Sequence, residues 1–227
     1  MISVQKLSKH FGGVFAVRDC SFTVQENAIT SVIGPNGAGK TTLFNLVCGI
    51  LKPDNGRIFL RGTEITSLPV HRIARCGISR TFQQARLFRN MTVRDNLLLA
   101  RKCSDAELKR VLKKVYFPLG LDTLASDLSY GQMRLLEIAR ALLKPHALLM
   151  LDEPTAGVNP KVRQELKRIL LDLKGAGATI LLIEHDMEFV MSISDEVVVM
   201  AEGSVLTRGT PGEVQSDKRV LEAYLGK

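Results

Sequence analysis

The chain has 227 residues, of which 45% are hydrophobic and 24% are charged. This balance is that of a folded globular domain, and it excludes a disordered chain, a collagen-like chain and a small disulfide-stabilised scaffold. The formal net charge is +8, and residues 71–101 hold seven arginines against a single acid, Asp95. A solvated basic face and a surface for a phosphate-rich partner both fit that stretch.

The predicted elements begin with short β-like runs separated by glycine-containing turns, over residues 2–7, 14–24, 29–33 and 57–60. The middle of the chain predicts short helices over about residues 93–102 and 105–115, and a longer helix follows residue 129. The last third alternates predicted strands at residues 147–151, 178–183 and 196–200 with predicted helices at residues 161–173 and 187–193. This alternation indicates an α/β fold with a mostly parallel sheet covered by helices.

The cysteines and the apolar runs indicate the cellular setting. Cys20, Cys48, Cys76 and Cys103 form neither a close pair nor a metal-binding spacing, so we expect free thiols in a reducing compartment such as the cytoplasm. No apolar run approaches the ~20 residues that span a bilayer. The first residues also lack the pattern of a secretory leader.

Polar residues follow four of the predicted strands at the point where each strand ends. They are the backbone of Gly34 and the side chains of Gln83, Asp152, Glu153, Glu184 and His185, after predicted strands at residues 29–33, 78–82, 147–151 and 178–183. The carboxyl ends of parallel strands meet at one edge of a sheet, and ligands bind at that edge. We therefore expect these residues to converge on one site.

The pattern G-x-x-x-x-G-K-[ST] is matched in full by Gly34-Pro35-Asn36-Gly37-Ala38-Gly39-Lys40-Thr41, which we call the phosphate loop. Its backbone N–H groups and the following helix N-terminus are suited to phosphate oxygens. Lys40 is expected on the β- and γ-phosphates, Thr41 on Mg²⁺, and Thr42 on a further phosphate. The candidate nucleotide-binding residues of this segment are Gly34, Asn36, Gly37, Ala38, Gly39, Lys40, Thr41 and Thr42. A chance glycine-rich turn is the alternative.

Two adjacent acids follow the predicted strand at residues 147–151. Asp152 is expected to hold Mg²⁺, directly or through water. Glu153 is a candidate general base that orients the attacking water. The alternative is a polar strand exit that Pro154 terminates.

The segment Leu128-Ser129-Tyr130-Gly131-Gln132 precedes a clear helical pattern, and we call residues 128–132 the signature segment. Ser129 and Gln132 have the spacing of a capping box, so a well-capped helix explains them without any function. The same helix end would also be an anion site. The spacing alone does not decide between these interpretations.

Together, residues 34–41, 128–132, 148–153 and His185 resemble the ATP-binding-cassette (ABC) ATPases over essentially the whole chain. The resemblance implies a P-loop NTPase core with an N-terminal antiparallel β part and a small inserted helical subdomain. Residues 1–227 would form one ABC ATPase domain, with residues 1–91 and 145–227 as the core and residues 92–144 as the helical subdomain. ATP and Mg²⁺ are the implied cofactors.

The family's usual signature is L-S-G-G-Q, and Tyr130 replaces a glycine in it. Two such domains pair head to tail in this family. Ser129, Gly131 and Gln132 would therefore contact the nucleotide that a second ABC ATPase subunit holds, whether that subunit is identical or different.

Other positions take their expected roles from the same resemblance. Gln83 matches the glutamine that touches Mg²⁺ or the attacking water and senses the membrane partner, with Gln84 as a one-residue alternative. His185 matches the histidine that contacts the γ-phosphate. Phe11 matches the aromatic residue that stacks on adenine, with a core phenylalanine as the alternative. Residues 155–159 match a loop in which Asn159 stands where many members have aspartate.

A narrower resemblance is to the subfamily that powers branched-chain amino-acid uptake, on Ser79-Arg80-Thr81-Phe82-Gln83, Ala156-Gly157-Val158-Asn159-Pro160 and Ala223-Tyr224-Leu225-Gly226. It implies integral membrane transporter subunits as partners, a separate solute-binding protein and a peripheral place on the inner face of the cell membrane. Only 36 residues, 93–128, separate Thr92 from Ser129. That is fewer than this subfamily leads us to expect, and it weakens the solute assignment.

The alternative function is a soluble ABC-type ATPase that gates a nucleic-acid or assembly complex. The charge of +8 and the short helical lobe favour it. We see no interleaved aromatic and basic residues that would form a stacking platform for bases. The transporter subunit therefore stays the first hypothesis, with no nucleic-acid partner expected.

Overall fold

The computed structural model describes residues 1–82 and 87–225. Within these ranges the strands are β1 Ile2–Phe11, β2 Val14–Val24, β3 Ile29–Ile33, β4 Asn55–Leu60, β5 Thr63–Glu64, β6 Ile78–Arg80, β7 Leu148–Asp152, β8 Ile180–Ile183, β9 Glu196–Ala201 and β10 Ser204–Gly209. The helices are α1 Lys40–Val47, α2 Val70–Arg75, α3 Val93–Leu98, α4 Asp105–Lys114, α5 Tyr130–Leu142, α6 Pro160–Gly175, α7 Met187–Ile193, α8 Pro211–Ser216 and α9 Lys218–Leu225, with a 3₁₀ turn at Ala125–Asp127.

The larger sheet has the strand order β10-β9-β3-β8-β7-β6. Its neighbours from β9 to β6 run parallel, and only β10 pairs antiparallel, with β9. Strands β3, β7 and β8 are buried along their whole length. A parallel sheet is covered on both faces, so its strands are continuous apolar runs, as the sequence has them. The predicted α/β class with a mostly parallel sheet is confirmed.

The smaller sheet is antiparallel, in the order β2-β1-β4-β5. Strand β1 pairs with β2 on one side and with β4 on the other. The expected N-terminal antiparallel part is therefore present. The two sheets share one apolar cluster, in which Val4 and Phe22 of the smaller sheet join Val32 and Met150 of the larger sheet and Phe44 of α1.

The opposite face of the parallel sheet packs against the helices from the middle of the chain. Leu149 and Leu151 of β7 share a second apolar cluster with Leu97 of α3, Leu108 of α4 and Leu136 of α5. Helices α3, α4 and α5 also contact one another. This helical group is thus anchored on the sheet and lies beside its β6 edge.

Capping residues set the boundaries of these helices. Helices α3, α4 and α5 each begin with a complete capping box, formed by Thr92 with Asp95, Ser104 with Glu107, and Ser129 with Gln132. The predicted helix over residues 93–102 is wrong at its end, since α3 stops at Leu98. The chain then turns so that Arg101 pairs with Glu107 on α4.

The described ranges contain no helix that is both long and apolar enough to cross a membrane. All four cysteines are free thiols, as expected. The short helices α2, α8 and α9 and the edge strand β10 were not predicted. Helices α2 and α8 have six residues each, fewer than two turns, so they show no clear period in the sequence.

Candidate active site

The expected convergence occurs at the carboxyl edge of the parallel sheet. Strands β3, β8, β7 and β6 are successive neighbours there, so the loops that follow them meet. A cleft of about 330 Å³ lies at this edge, within the size range of small-ligand pockets. Its lining residues are Ala16, Asn36, Gly37, Gly39, Lys40, Thr41, Thr42, Glu153 and His185.

The phosphate loop is tightly enclosed, and two of its glycines cannot be replaced without displacing backbone. Gly34 has a φ of +149°, and a Cβ atom added there would lie 2.1 Å from the carbonyl oxygen of Met200. Gly39 has a φ of +95° and directly precedes α1, and its added Cβ would lie 2.1 Å from the carbonyl oxygen of Ala16. The loop backbone therefore packs closely against Met200 and Ala16, and such a glycine-rich loop before a helix is suited to phosphate binding.

Lys40 supplies the cation of the cleft. Its side chain is buried, and Nζ donates hydrogen bonds to the carbonyl oxygens of Gly34 at 2.7 Å and Pro35 at 2.9 Å. Burial lowers the pKa of Lys40, while the charges of Glu153 and Asp152 act in the opposite direction. A lysine at the N-terminus of α1 that lines the cleft is placed to bind an anionic ligand.

Glu153 and His185 contact each other across the cleft. His185 Nε2 lies 2.5 Å from Glu153 Oε1, so a short hydrogen bond joins the two side chains. Glu153 also has a φ of +48°, a left-handed conformation that costs a non-glycine residue of order 1–3 kcal/mol. Backbone strain of this kind is concentrated at functional sites, and here it directs a carboxylate into the cleft.

Asp152 forms an ion pair with Arg80, a residue to which the sequence analysis gave no role in the site. Arg80 Nη2 donates to Asp152 Oδ2 at 2.7 Å, and Arg80 Nη1 donates to Asn45 Oδ1 on α1, also at 2.7 Å. The guanidinium lies 5.5 Å from the ring centroid of Phe44 and 5.1 Å from that of Phe82. Both charged side chains are almost fully buried. The sequence signal that could have indicated this role is the position of Arg80 inside a β-like run. A charged residue that a strand buries needs a partner of opposite charge.

Glu184 is a second buried acid at this edge. Its Oε1 accepts from the backbone N–H of Thr155 at 2.7 Å, and its Oε2 accepts from that of His185 at 3.1 Å. Burial raises the pKa of Glu184, and these hydrogen bonds act against that shift. The carboxylate thus ties the loop after β7 to the end of β8. The sequence placed Glu184 at a strand end and gave it no role.

The signature segment lies apart from the described part of this cleft. Ser129 Oγ accepts from the Gln132 N–H at 3.3 Å, and Gln132 Oε1 accepts from the Ser129 N–H at 2.8 Å. Gly131 packs against α6, where an added Cβ would lie 2.7 Å from Val162. The predicted capping box is therefore present. Ser129 is exposed, so its hydroxyl is also accessible to a second chain.

The remaining candidates lie in different places. Phe11 ends β1 and is 51% exposed, so the alternative of a core phenylalanine is wrong. Phe15 on β2 is an exposed aromatic that the sequence analysis did not select, and its neighbour Ala16 lines the cleft. Asn159 caps α6, accepting from the Val162 N–H at 2.9 Å. The predicted Gln83, with its alternative Gln84, falls outside the described residues.

A divalent metal would find oxygen ligands here and no complete protein cage. Thr41 lines the cleft, and Asp152 ends β7 at the same edge. Among the described residues there is no group of three or more His, Cys, Asp or Glu side chains that could hold a metal ion. This fits Mg²⁺, which binds through one or two protein oxygens together with substrate phosphates and water.

Comparison with known proteins identifies the family of the chain. The family model described as ABC transporter matches residues 17–156, and the model described as branched-chain amino acid ATP-binding cassette transporter matches residues 204–227. The chain is 42% identical to the high-affinity branched-chain amino acid transport ATP-binding protein LivG of Salmonella typhimurium, over 100% of this chain and 98% of that protein. Identity and coverage are the same for the corresponding protein BraF of Pseudomonas aeruginosa.

The alignments with these two relatives run over 250 positions, whereas this chain has 227 residues. Each relative therefore carries at least 23 residues that this chain lacks. Among solved structures, the ADP conformation of MJ1267, an ATP-binding cassette of an ABC transporter, matches with a TM-score of 0.93 and 32% identity. That match covers 100% of this chain and 99% of the other.

Proposed function

The chain belongs to the ABC transporter family as an ATP-binding-cassette ATPase, and from this premise we propose that it powers a membrane transporter that imports branched-chain amino acids or similarly small solutes. The solute assignment is supported by the names of its relatives and by the family model at residues 204–227. Solute selection itself belongs to other chains of the transporter.

One observation carries the hydrolytic part of the proposal: Glu153 and His185 share a cleft with Lys40 and the phosphate loop. Lys40 and the backbone of residues 34–39 bind the β- and γ-phosphates, Thr42 binds a further phosphate, and Phe11 stacks on the base. Glu153 accepts a proton from the attacking water, and His185 holds the carboxylate and contacts the γ-phosphate. Positioning and electrostatics carry most of the catalysis in such a site.

Thr41, Asp152 and Gln83 are the residues that we propose to hold Mg²⁺, which neutralises charge on the phosphates when it is bound. Arg80 keeps the Asp152 carboxylate oriented through their 2.7 Å ion pair. Asn45, on the helix that follows the phosphate loop, shares the same arginine. The metal-binding side and the phosphate-binding side of the cleft are therefore held in one arrangement.

A second ABC ATPase subunit completes the site in this proposal. Ser129 and Tyr130 are exposed at the N-terminal end of α5. Ser129, Gly131 and Gln132 of one subunit then face the nucleotide held by the phosphate loop of the other. Closure of the pair excludes water from two nucleotides, and hydrolysis reopens it.

We place the membrane partner at a groove of about 300 Å³ between α2, α5, β6 and the residues that follow α3. Phe88 and Leu99 line this groove and are 56% and 53% exposed. It borders residues 92–144, which we take as the helical subdomain and as the region that lacks residues relative to LivG. The chain would then sit peripherally on the inner face of the membrane, and a separate solute-binding protein would deliver the solute.

The arginines of residues 71–101 give little support to a nucleic-acid partner. Arg80 is buried against Asp152, and Arg101 pairs with Glu107 at 2.5 Å. Arg94 pairs with both Asp105 and Asp122. Internal ion pairs therefore neutralise part of the local positive charge.

The test is affinity co-purification of the chain from detergent-solubilised, nuclease-treated native membranes, with mass-spectrometric identification. Recovery of polytopic transporter subunits supports the proposal, and their loss with Leu99→Glu locates the contact at the groove. Leu221→Glu is the matched control, because Leu221 is similarly exposed on α9. Recovery of soluble proteins alone, or binding that nuclease abolishes, would favour the soluble ATPase.

A further inference from the structure

Tyr130 occupies the position where the family's signature has a glycine, and its side chain makes specific contacts. The hydroxyl accepts a hydrogen bond from Arg134 Nη2 at 2.9 Å, and the Arg134 guanidinium lies 5.3 Å from the ring centroid. The ring also packs over Gly157, where an added Cβ would lie 3.2 Å from it. A glycine at residue 130 would provide none of these contacts.

Arg134 and Glu137 hold both backbone groups of Phe82, the residue that follows Thr81 at the exit of β6. Arg134 Nη1 donates to the Phe82 carbonyl oxygen at 2.8 Å, and the Phe82 N–H donates to Glu137 Oε1 at 3.3 Å. The two charged side chains pair with each other at 3.2 Å and are 2% and 3% exposed. Burying charges is unfavourable, so a pair that also fixes a strand exit is consistent with a positioning role.

The exit of β6 is in turn joined to Asp152. Arg80 donates to the Asp152 carboxylate, and the Asp152 N–H donates to Thr81 Oγ1 at 3.4 Å. One short run of contacts therefore leads from the Ser129 end of α5, through Phe82, to the carboxylate proposed to hold Mg²⁺.

We infer that Tyr130, Arg134 and Glu137 are positioning residues that hold the Ser129 end of α5 in a fixed position relative to the exit of β6 and Asp152. The inference rests on the proposed function, because Ser129 and Asp152 act on nucleotide only in an ATPase. The Tyr130 hydroxyl orients Arg134, and Arg134 and Glu137 fix Phe82. Within each subunit, Ser129 faces the partner's nucleotide and Asp152 acts on the subunit's own nucleotide. The contacts of Tyr130, Arg134 and Glu137 therefore hold these two residues in a fixed relative position.

The test compares Tyr130→Phe, which removes the hydroxyl alone, with Tyr130→Gly, which restores the family's usual signature. Tyr116→Phe is the matched control, because it removes a hydroxyl that donates to Asp172 on a distant surface. The readouts are kcat and KM for ATP, the affinity for a non-hydrolysable ATP analogue, and hydrogen exchange at the Phe82 amide.

We expect Tyr130→Phe to lower kcat about two- to tenfold, the factor that corresponds to the ordinary net contribution of one hydrogen bond. Tyr130→Gly should lower kcat further, although it matches the family pattern better. The affinity for the analogue should stay within about twofold of wild type, because the hydrogen bond between Tyr130 and Arg134 does not contact the phosphate loop. The Phe82 amide should exchange faster in both variants, and Tyr116→Phe should match wild type.

Arg134→Lys provides a second line of evidence. Lysine keeps the positive charge, but its single ammonium group cannot reproduce the two guanidinium hydrogen bonds to Tyr130 and Phe82. We expect kcat between those of wild type and Arg134→Met. If the Arg134 variants fail to fold, the Tyr130 variants alone decide. Unchanged kcat and unchanged Phe82 exchange in both Tyr130 variants would overturn this inference alone. A wild-type chain that does not hydrolyse ATP would overturn the proposed function instead.

Discussion

His185 Nε2 lies 2.5 Å from Glu153 Oε1, which brings together two residues 32 positions apart in the sequence. Each lies just beyond the end of a strand, and strands β7 and β8 are neighbours in the parallel sheet. The contact gives the carboxylate a defined orientation over the phosphate loop. A general base is effective only when it is held within hydrogen-bond reach of the water that it activates.

We expect His185→Ala to lower kcat for ATP about 10²-fold or more, in the range of general acid–base effects. Nucleotide affinity should change little, because we propose that Lys40 and the loop backbone, and not His185, provide most of the phosphate binding. The measurement is steady-state phosphate release beside equilibrium binding of ADP. His71→Ala, on the exposed surface of α2, is the control. Equal kcat values for His185→Ala and wild type would remove the histidine from the mechanism.

The left-handed backbone at Glu153 leads to a prediction about stability. Its φ is +48°, and Glu202 has the same value at an exposed turn. Glycine adopts this conformation without strain, so Glu153→Gly should be more stable than Glu153→Ala by about 1 kcal/mol. Urea unfolding measures this difference. The pair Glu202→Gly and Glu202→Ala should differ in the same direction, and an opposite sign at Glu153 would contradict the backbone explanation.

Much of the site could be predicted from the sequence because its chemistry follows strands. The phosphate loop comes directly after β3, and Glu153 and His185 come after β7 and β8. Buried parallel strands are continuous apolar runs, so the polar residues that end them are visible in the sequence. Their convergence then follows from the sheet alone.

The partners of the buried arginines could not be predicted in the same way. Arg80 pairs with Asp152 across 72 positions, and Arg134 bonds to Phe82 across 52. These separations are far longer than any helix or strand repeat. Both pairs form only when distant segments pack together, so no local pattern in the sequence indicates them. Arg94 and Arg101, which raised the local charge in the sequence, also pair with acids in the fold.

Base stacking can be tested at the end of β1. Stacking on an aromatic side chain contributes about 1–3 kcal/mol per base, which corresponds to a change in affinity of about 5- to 160-fold. We expect Phe11→Ala to raise the Kd for ATP within that range and to affect GTP similarly. Phe15→Ala removes a similarly exposed ring from the neighbouring strand and should have a smaller effect. A larger effect at Phe15 would transfer the stacking role to that residue.

Asp54, which contacts Lys9 on β1, makes the stability of the fold depend on pH. A hydrogen bond from Lys9, and then one from the His10 N–H, lower the pKa of Asp54 from 3.8 to about 2. A carboxyl whose pKa is lower in the folded state stabilises the fold above its unfolded pKa. That contribution is lost as the pH falls from 3.8 toward 2.

We therefore expect Asp54→Asn to unfold at lower urea than wild type at pH 6. The difference should shrink on acidification below pH 3.8, where protonation removes the advantage of the wild-type carboxyl. Urea titrations of both proteins at several pH values measure it. A difference that is constant across this range would show that the carboxylate charge is not the cause.

The most direct test of the account is ATP turnover by wild type and Glu153→Gln, with nucleotide affinity measured on the same samples. Glu188→Gln is the control, because it makes the same change at an exposed position. We predict Mg²⁺-dependent hydrolysis by wild type, and a fall of about 10²- to 10⁴-fold in Glu153→Gln with ATP binding retained. Equal turnover by the two proteins would contradict the assignment of the catalytic carboxylate at this cleft.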